Sequence, residues 1–85
     1  MTVDRNELVN LDATIAAFII PRLEAFRDTT DSYPADLDSM SEWHAELDRM
    51  IVAFRAHSSD DYAAPCDEVI PGLLLFAERF GHLWL

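Results

Sequence analysis

Trp43, Leu47, Met50, Ile51 and Phe54 recur at steps of one, three and four residues. That spacing gathers them on one side of an α-helix and would scatter them over both faces of a strand. Just ahead of them Ser39 precedes Glu42 by three positions, the pattern of a capping box, in which a serine oxygen and a glutamate carboxylate occupy open backbone donors. The pattern predicts a helix over about 40–57. Leu11, Ile15, Phe18, Ile19 and Phe26 repeat the same spacing and predict a first helix over about 10–28. Pro21 removes one backbone hydrogen bond there and clashes with the carbonyl of Ala17, and because the apolar stripe continues through Leu23 and Phe26 the expectation is a kink, not a break.

A third helix is predicted over about 65–84, with a second kink at Pro71-Gly72. Its apolar arc, from Val69 and Ile70 through Leu73, Leu74, Phe76, Ala77 and Phe80 to Leu83 and Trp84, covers about half of the helix circumference. An arc that wide predicts the central element, touching both other helices. Trp43, Phe54, Leu73, Phe76 and Phe80 are the expected core between the second and third helices. The connecting stretches, Asp28 to Pro34 and His57 to Ala64, are rich in turn-forming residues. No strand-like alternation occurs. The fold class is therefore all-α: one domain over 1–85, a small bundle of three main helices.

Sixteen Asp and Glu face six basic residues, all of them Arg, for a formal charge of −10, while half of the residues are hydrophobic. A compact core under a carboxylate surface fits a basic partner and is unsuited to direct contact with nucleic acid. The same charge opposes binding to anionic lipid, and the longest apolar run, Ile15 to Ile20, is too short to span a membrane. One cysteine excludes an internal disulfide. The start of the chain has no basic segment leading into an apolar run, so no signal peptide is expected, and the expected location is the cytoplasm of a host cell.

Catalytic patterns are sparse. His44 and Asp48 stand four apart on one helical side and could supply two metal ligands, with Arg55 further along that side; a third ligand is not placed by the spacing. Glu42 and Glu46, with Arg49, form a helical carboxylate pair of the kind found in di-metal bundles, for which Glu24 and Asp28 offer the only matching pair. Cys66 lies near a helix start, where backbone amides lower a thiol pKa, but Asp67 and Glu68 oppose that. With only Gly72 and Gly81 in the chain, no phosphate-cradling loop is encoded. His57 and His82 read as surface residues. No cofactor is expected, and an enzyme is the least supported class, a small metal-dependent hydrolase being its best version. Arg22 falls within the apolar face of the first helix between Phe18 and Phe26. It should therefore find a carboxylate, Asp48 first and Asp12 second, or escape to water.

Several stretches resemble a group of small, uncharacterised bacteriophage and prophage proteins. They are the run from Asp12 to Phe26 containing Phe-Ile-Ile-Pro-Arg-Leu, then Tyr33-Pro34, then Glu42-Trp43 with Leu47 to Phe54. Gly72-Leu73, Leu75-Phe76, Phe80 and Leu83-Trp84 complete the likeness, in the same order. It departs at Pro71 and in the loop before Pro65, where the group is expected to be more helical and longer. The resemblance implies a phage accessory protein of unassigned function, and small acidic phage proteins often act by occupying host proteins.

The remaining signal is a band of six carboxylates, Asp28, Asp31, Asp36, Asp38, Glu42 and Glu46, with no Lys or Arg inside it. Such a run can copy the charge spacing of a nucleic-acid backbone or fill an arginine-lined groove. The expected function is non-enzymatic binding of a basic protein surface, such as a nucleic-acid-binding host nuclease or immune effector. The alternative is a structural module or homo-oligomer joined through exposed apolar residues such as Leu75 and Leu85.

Overall fold

The computed structural model describes residues 3–58 and 66–85. Beyond Ser58, the expected loop to Ala64 falls outside the described residues, as do Pro65 and the Cys66 thiol with the neighbouring Asp67 and Glu68 side chains. The described chain is all-helical. α1 spans Arg5–Val9, α2 Leu11–Thr29, α3 Met40–Ser58 and α4 Cys66–Arg79, followed by a 3-10 turn over Phe80–His82. No described helix is long and apolar enough to cross a membrane.

α1 is an addition to the expected elements, and its signal was present in the sequence. Asp4 accepts from the Asn6 amide at 2.9 Å and the Glu7 carboxylate accepts from the Asp4 amide at 3.1 Å, a complete capping box. The Thr14 hydroxyl, donating to the Glu7 carbonyl at 3.1 Å, ties α1 to the first turn of α2. At α3 the expected serine cap forms, with the Glu42 amide donating to Ser39 Oγ at 3.2 Å. The reciprocal bond is shifted by one residue: Glu42 Oε2 accepts from the Asp38 amide at 2.7 Å.

α2 and α4 remain helical through Pro21 and Pro71. In the turn that Pro21 disturbs, the Arg22 guanidinium donates to the Phe18 carbonyl at 2.8 Å and lies 3.7 Å from the centre of the Phe18 ring. Arg22 is exposed and satisfies its own helix, and among the described residues it has no carboxylate partner. Asp48 pairs instead with Arg27, five residues on. The third helix also ends earlier than expected, tightening into the 3-10 turn at Phe80.

The central element is α3, a correction to the expectation for α4. α2 and α4 each pack along α3, and among the described residues their backbones do not come within 8 Å of each other, Cα to Cα. Trp43, Leu47, Met50, Ile51, Ala53 and Phe54 of α3 are all buried, joined by Ala16 and Leu23 of α2. Trp43 meets Phe26 of α2 edge-on at 6.4 Å between ring centres, and Phe54 meets Phe76 of α4 at 5.2 Å. Leu73, Leu75 and Phe76 are half-buried against this core, which removes Leu75 from the exposed set; Leu85 is exposed. Phe80, expected inside, is 66 % exposed and meets the Phe76 ring edge-to-face at 5.7 Å between ring centres. Width of an apolar arc and number of neighbours are separate properties, and α4 has the first without the second.

Candidate functional site: an acidic linker beside an aromatic cleft

The six carboxylates of the band lie at the end of α2, on the linker to α3 and on the first two turns of α3. Five are exposed and Glu46 is half-buried. Folding divides them by task. Asp36 accepts two hydrogen bonds from Arg79 at 2.8 and 2.9 Å. Glu46 accepts from the same guanidinium at 2.7 and 3.2 Å. Asp28 stands 3.5 Å from Arg27, and Glu42 caps α3. Among the described residues no Arg or His lies within ion-pair reach of Asp31, Asp38 or Glu42. The sequence showed no compensating base within the band; the compensation arrives from Arg79, on α4. The Arg79 hydrogen bonds hold the Asp36 carboxyl below the usual carboxylate range despite the opposing effect of desolvation, and the two carboxylates raise the Arg79 pKa in turn.

The other ion pairs act as links between helices. Arg27 Nε lies 2.6 Å from Asp48 Oδ1, a contact that is ionic and poorly aligned as a hydrogen bond, while its Nη2 donates to Oδ2 at 3.3 Å. Arg55 pairs with Glu24, and His57 Nε2 stands 2.7 Å from Asp12 Oδ2. The hydrogen bond to His57, reinforced by the Ala13 amide, lowers the Asp12 pKa. Glu24, Arg27, Asp28, Asp48, Ile51 and Arg55 line an open α2–α3 cleft of about 210 Å³, and its opposite charges face one another. Asp48, one of the two proposed metal ligands beside His44, is thus engaged with Arg27. No group of three or more His, Cys, Asp or Glu among the described residues is placed to hold a metal ion.

A second cleft, of about 290 Å³, is lined by Ser32, Tyr33, Pro34, Ala35, Trp43, His82 and Trp84. Trp43 is buried and contributes a wall, whereas Tyr33 and Trp84 are 43 % and 69 % exposed and present ring surface to solvent. His82 is close enough to Asp36 to act on its ionisation, so the cleft and the acidic linker are one neighbourhood. Sequence reasoning used Tyr33-Pro34 and Trp84 as family marks or core and missed this cleft. Its parts are fifty residues apart, and only the antiparallel return of α4 brings them together.

No protein-family model matches the chain, and neither a curated protein nor a solved structure does.

Proposed function

We propose that this protein is a non-enzymatic binding module that meets a basic protein surface through its α2–α3 linker, as a phage-type accessory protein occupying a nucleic-acid-binding host protein would. The observation that carries the reading is the division of the band: Asp31 and Asp38 are exposed and have no cation in reach among the described residues, beside a cleft walled by Tyr33 and Trp84. Unpaired carboxylates next to aromatic faces suit the side chains of Arg and Lys, which combine ion pairing with stacking on a ring. Asp36, Glu42 and Glu46 then position the linker through Arg79 and the α3 cap, and Asp31 and Asp38 make the outward contact.

The test is capture of partners from a bacterial host lysate, followed by kinetics on each purified pair. Exposed charges act mainly on the association rate and are screened by salt. Replacing Asp31 and Asp38 by Lys should slow association while the helical spectrum is retained, and duplex DNA should compete for the same partner. Association that is indifferent both to salt and to the double reversal would overturn the reading.

A second reading, an oligomerisation module, is favoured by one specific observation: Leu11, Ile15, Phe18, Ile70 and Leu74 are each about half exposed or more.

A further inference from the structure

The cleft of about 290 Å³ is formed by linker residues 32–35 together with Trp43, His82 and Trp84. Its frame is held in place by the fold itself. The Thr30 hydroxyl donates to the Ser32 carbonyl at 3.1 Å, and the Leu37 amide donates to the Pro34 carbonyl at 3.0 Å. Pro34 is buried, and Leu37 and Leu83 pack against the core. Trp43 is held edge-on by Phe26, and Arg79 fastens the linker at Asp36. A frame ordered in advance lowers the entropy cost of binding.

Two rings in this frame have unoccupied faces. Tyr33 and Trp84 are exposed, and among the described residues neither meets another aromatic ring or lies under a cation. Phe18 is the contrast, because Arg22 already covers its face. Tryptophan and tyrosine faces attract cations and commonly anchor interfaces. The charges nearby are mainly negative. Asp31 and Asp36 directly flank the lining run in the sequence, and Asp31 is exposed with no Arg or His in ion-pair reach among the described residues. Asp36 and Glu46 share the single positive charge of Arg79, so that group keeps one negative charge in excess. His82 is the only basic residue lining the cleft.

We propose that the cleft seats the guanidinium of one arginine from a protein or peptide partner, stacked on the open aromatic faces with N–H groups donating to Asp31. The inference rests on the reading of the linker as a surface for basic partners and adds the side chain that it selects. The cleft lies at the small end of the roughly 300–1,000 Å³ typical of small-molecule pockets, which suits a single side chain. Arginine fits it better than lysine does. A planar, weakly hydrated guanidinium lies flat on a ring and still directs N–H groups sideways to a carboxylate, whereas an ammonium is a compact, strongly hydrated point charge. A quaternary ammonium has no N–H for Asp31 and is held best by a cage of rings. Here Trp43 is buried, which leaves two open faces.

NMR titration of the isotope-labelled protein tests the proposal. The probes are capped Gly/Ser peptides that differ at one central residue: arginine, lysine, trimethyl-lysine or citrulline. Long-range attraction to a chain of charge −10 acts equally on arginine and lysine, so the difference between them isolates stacking and hydrogen bonding. The arginine peptide should shift the Trp84 indole N–H and the amides of Ser32, Tyr33 and Ala35. It should bind at least about threefold more tightly than the lysine and trimethyl-lysine peptides, and citrulline, equally planar but uncharged, should bind most weakly. Trp84→Ala and Tyr33→Ala should each weaken arginine binding by roughly three- to thirtyfold. Circular dichroism should be unchanged, since both side chains are exposed, and Tyr33→Phe should retain binding. Equal binding of the arginine and lysine peptides would overturn the proposal, as would an arginine peptide that leaves Trp84 unshifted. The linker reading fails on a separate result, partner association that is indifferent to salt and to reversal of Asp31 and Asp38.

Discussion

Arg79 and Asp36 are joined by two parallel hydrogen bonds of 2.8 and 2.9 Å across 43 positions of sequence. The same guanidinium holds Glu46 on α3, so one side chain fastens the α2–α3 linker, the start of α3 and the end of α4. Arg79 is 14 % exposed and Glu46 17 %, shielding that favours a forked, charge-assisted contact over the weak pairing typical of surface ions. The planar fork of arginine is what allows two carboxylates to be served at once.

Replacing Arg79 with Met removes the fork and leaves Glu46 largely shielded without its partner. Stability should fall by about 1–3 kcal/mol, read from chemical denaturation. Arg79→Lys should recover only part of that loss, because an ammonium cannot grip both carboxylates in the same plane. Equal stability for the parent and both variants would show the triad to be incidental.

Gly72 sets the distance between α4 and α3. A Cβ there would collide with the Ala53 Cβ and come within 2.9 Å of the Arg49 carbonyl oxygen. Alanine is the better helix former by about 1 kcal/mol, so a gain from Gly72→Ala would mean that the helices separate freely. The expected outcome is the reverse, a net loss of about 1–3 kcal/mol from overpacking. Adding Ala53→Gly should return part of it, a coupling measurable in a double-mutant cycle.

The core aromatics separate by position. Trp43 and Phe54 are 1 % and 7 % exposed, and Phe80 is 66 % exposed. In the monomer, Trp43→Ala and Phe54→Ala should each cost about 3–5 kcal/mol, whereas Phe80→Ala should cost well under half of that. Matching losses at all three sites would place Phe80 in the core after all.

The contrast at Phe80 marks what the sequence could and could not convey. Periodicity located the three long helices to within a residue or two at most ends, because each one has an apolar stripe that only a helix can gather. It could not say which helix is central. Burial of the α4 flank of α3 depends on Ala53 and Gly72, small residues that add nothing to an apolar stripe yet let α4 approach closely. The surplus apolar width of α4 turned out to be open surface. The acidic band was legible as composition, but its division into fastening and free carboxylates was not, because Arg79 lies 33 positions from Glu46 and 43 from Asp36. Arg22 and Arg27 show the same limit. Both lie on α2, and only the packed register of α2 on α3 selects the second for Asp48.

Acid should act on the helix links through Asp12 and Asp36. Both carboxyls are held below their ordinary value of 3.8, Asp12 chiefly by its hydrogen bond to His57 and Asp36 chiefly by those to Arg79. A carboxyl whose folded pKa is depressed binds fewer protons folded than unfolded. Its stabilising contribution is therefore complete above the ordinary value and is lost as pH falls through the depressed one. Thermal midpoints should thus drop between the ordinary value and the depressed values below it. Asp36→Asn and Asp12→Asn should each lower the midpoint near neutral pH and make the acid limb shallower. Parent and variants should converge once both carboxyls are protonated in the folded chain. Variants that keep the full acid limb of the parent would assign that limb to other carboxylates.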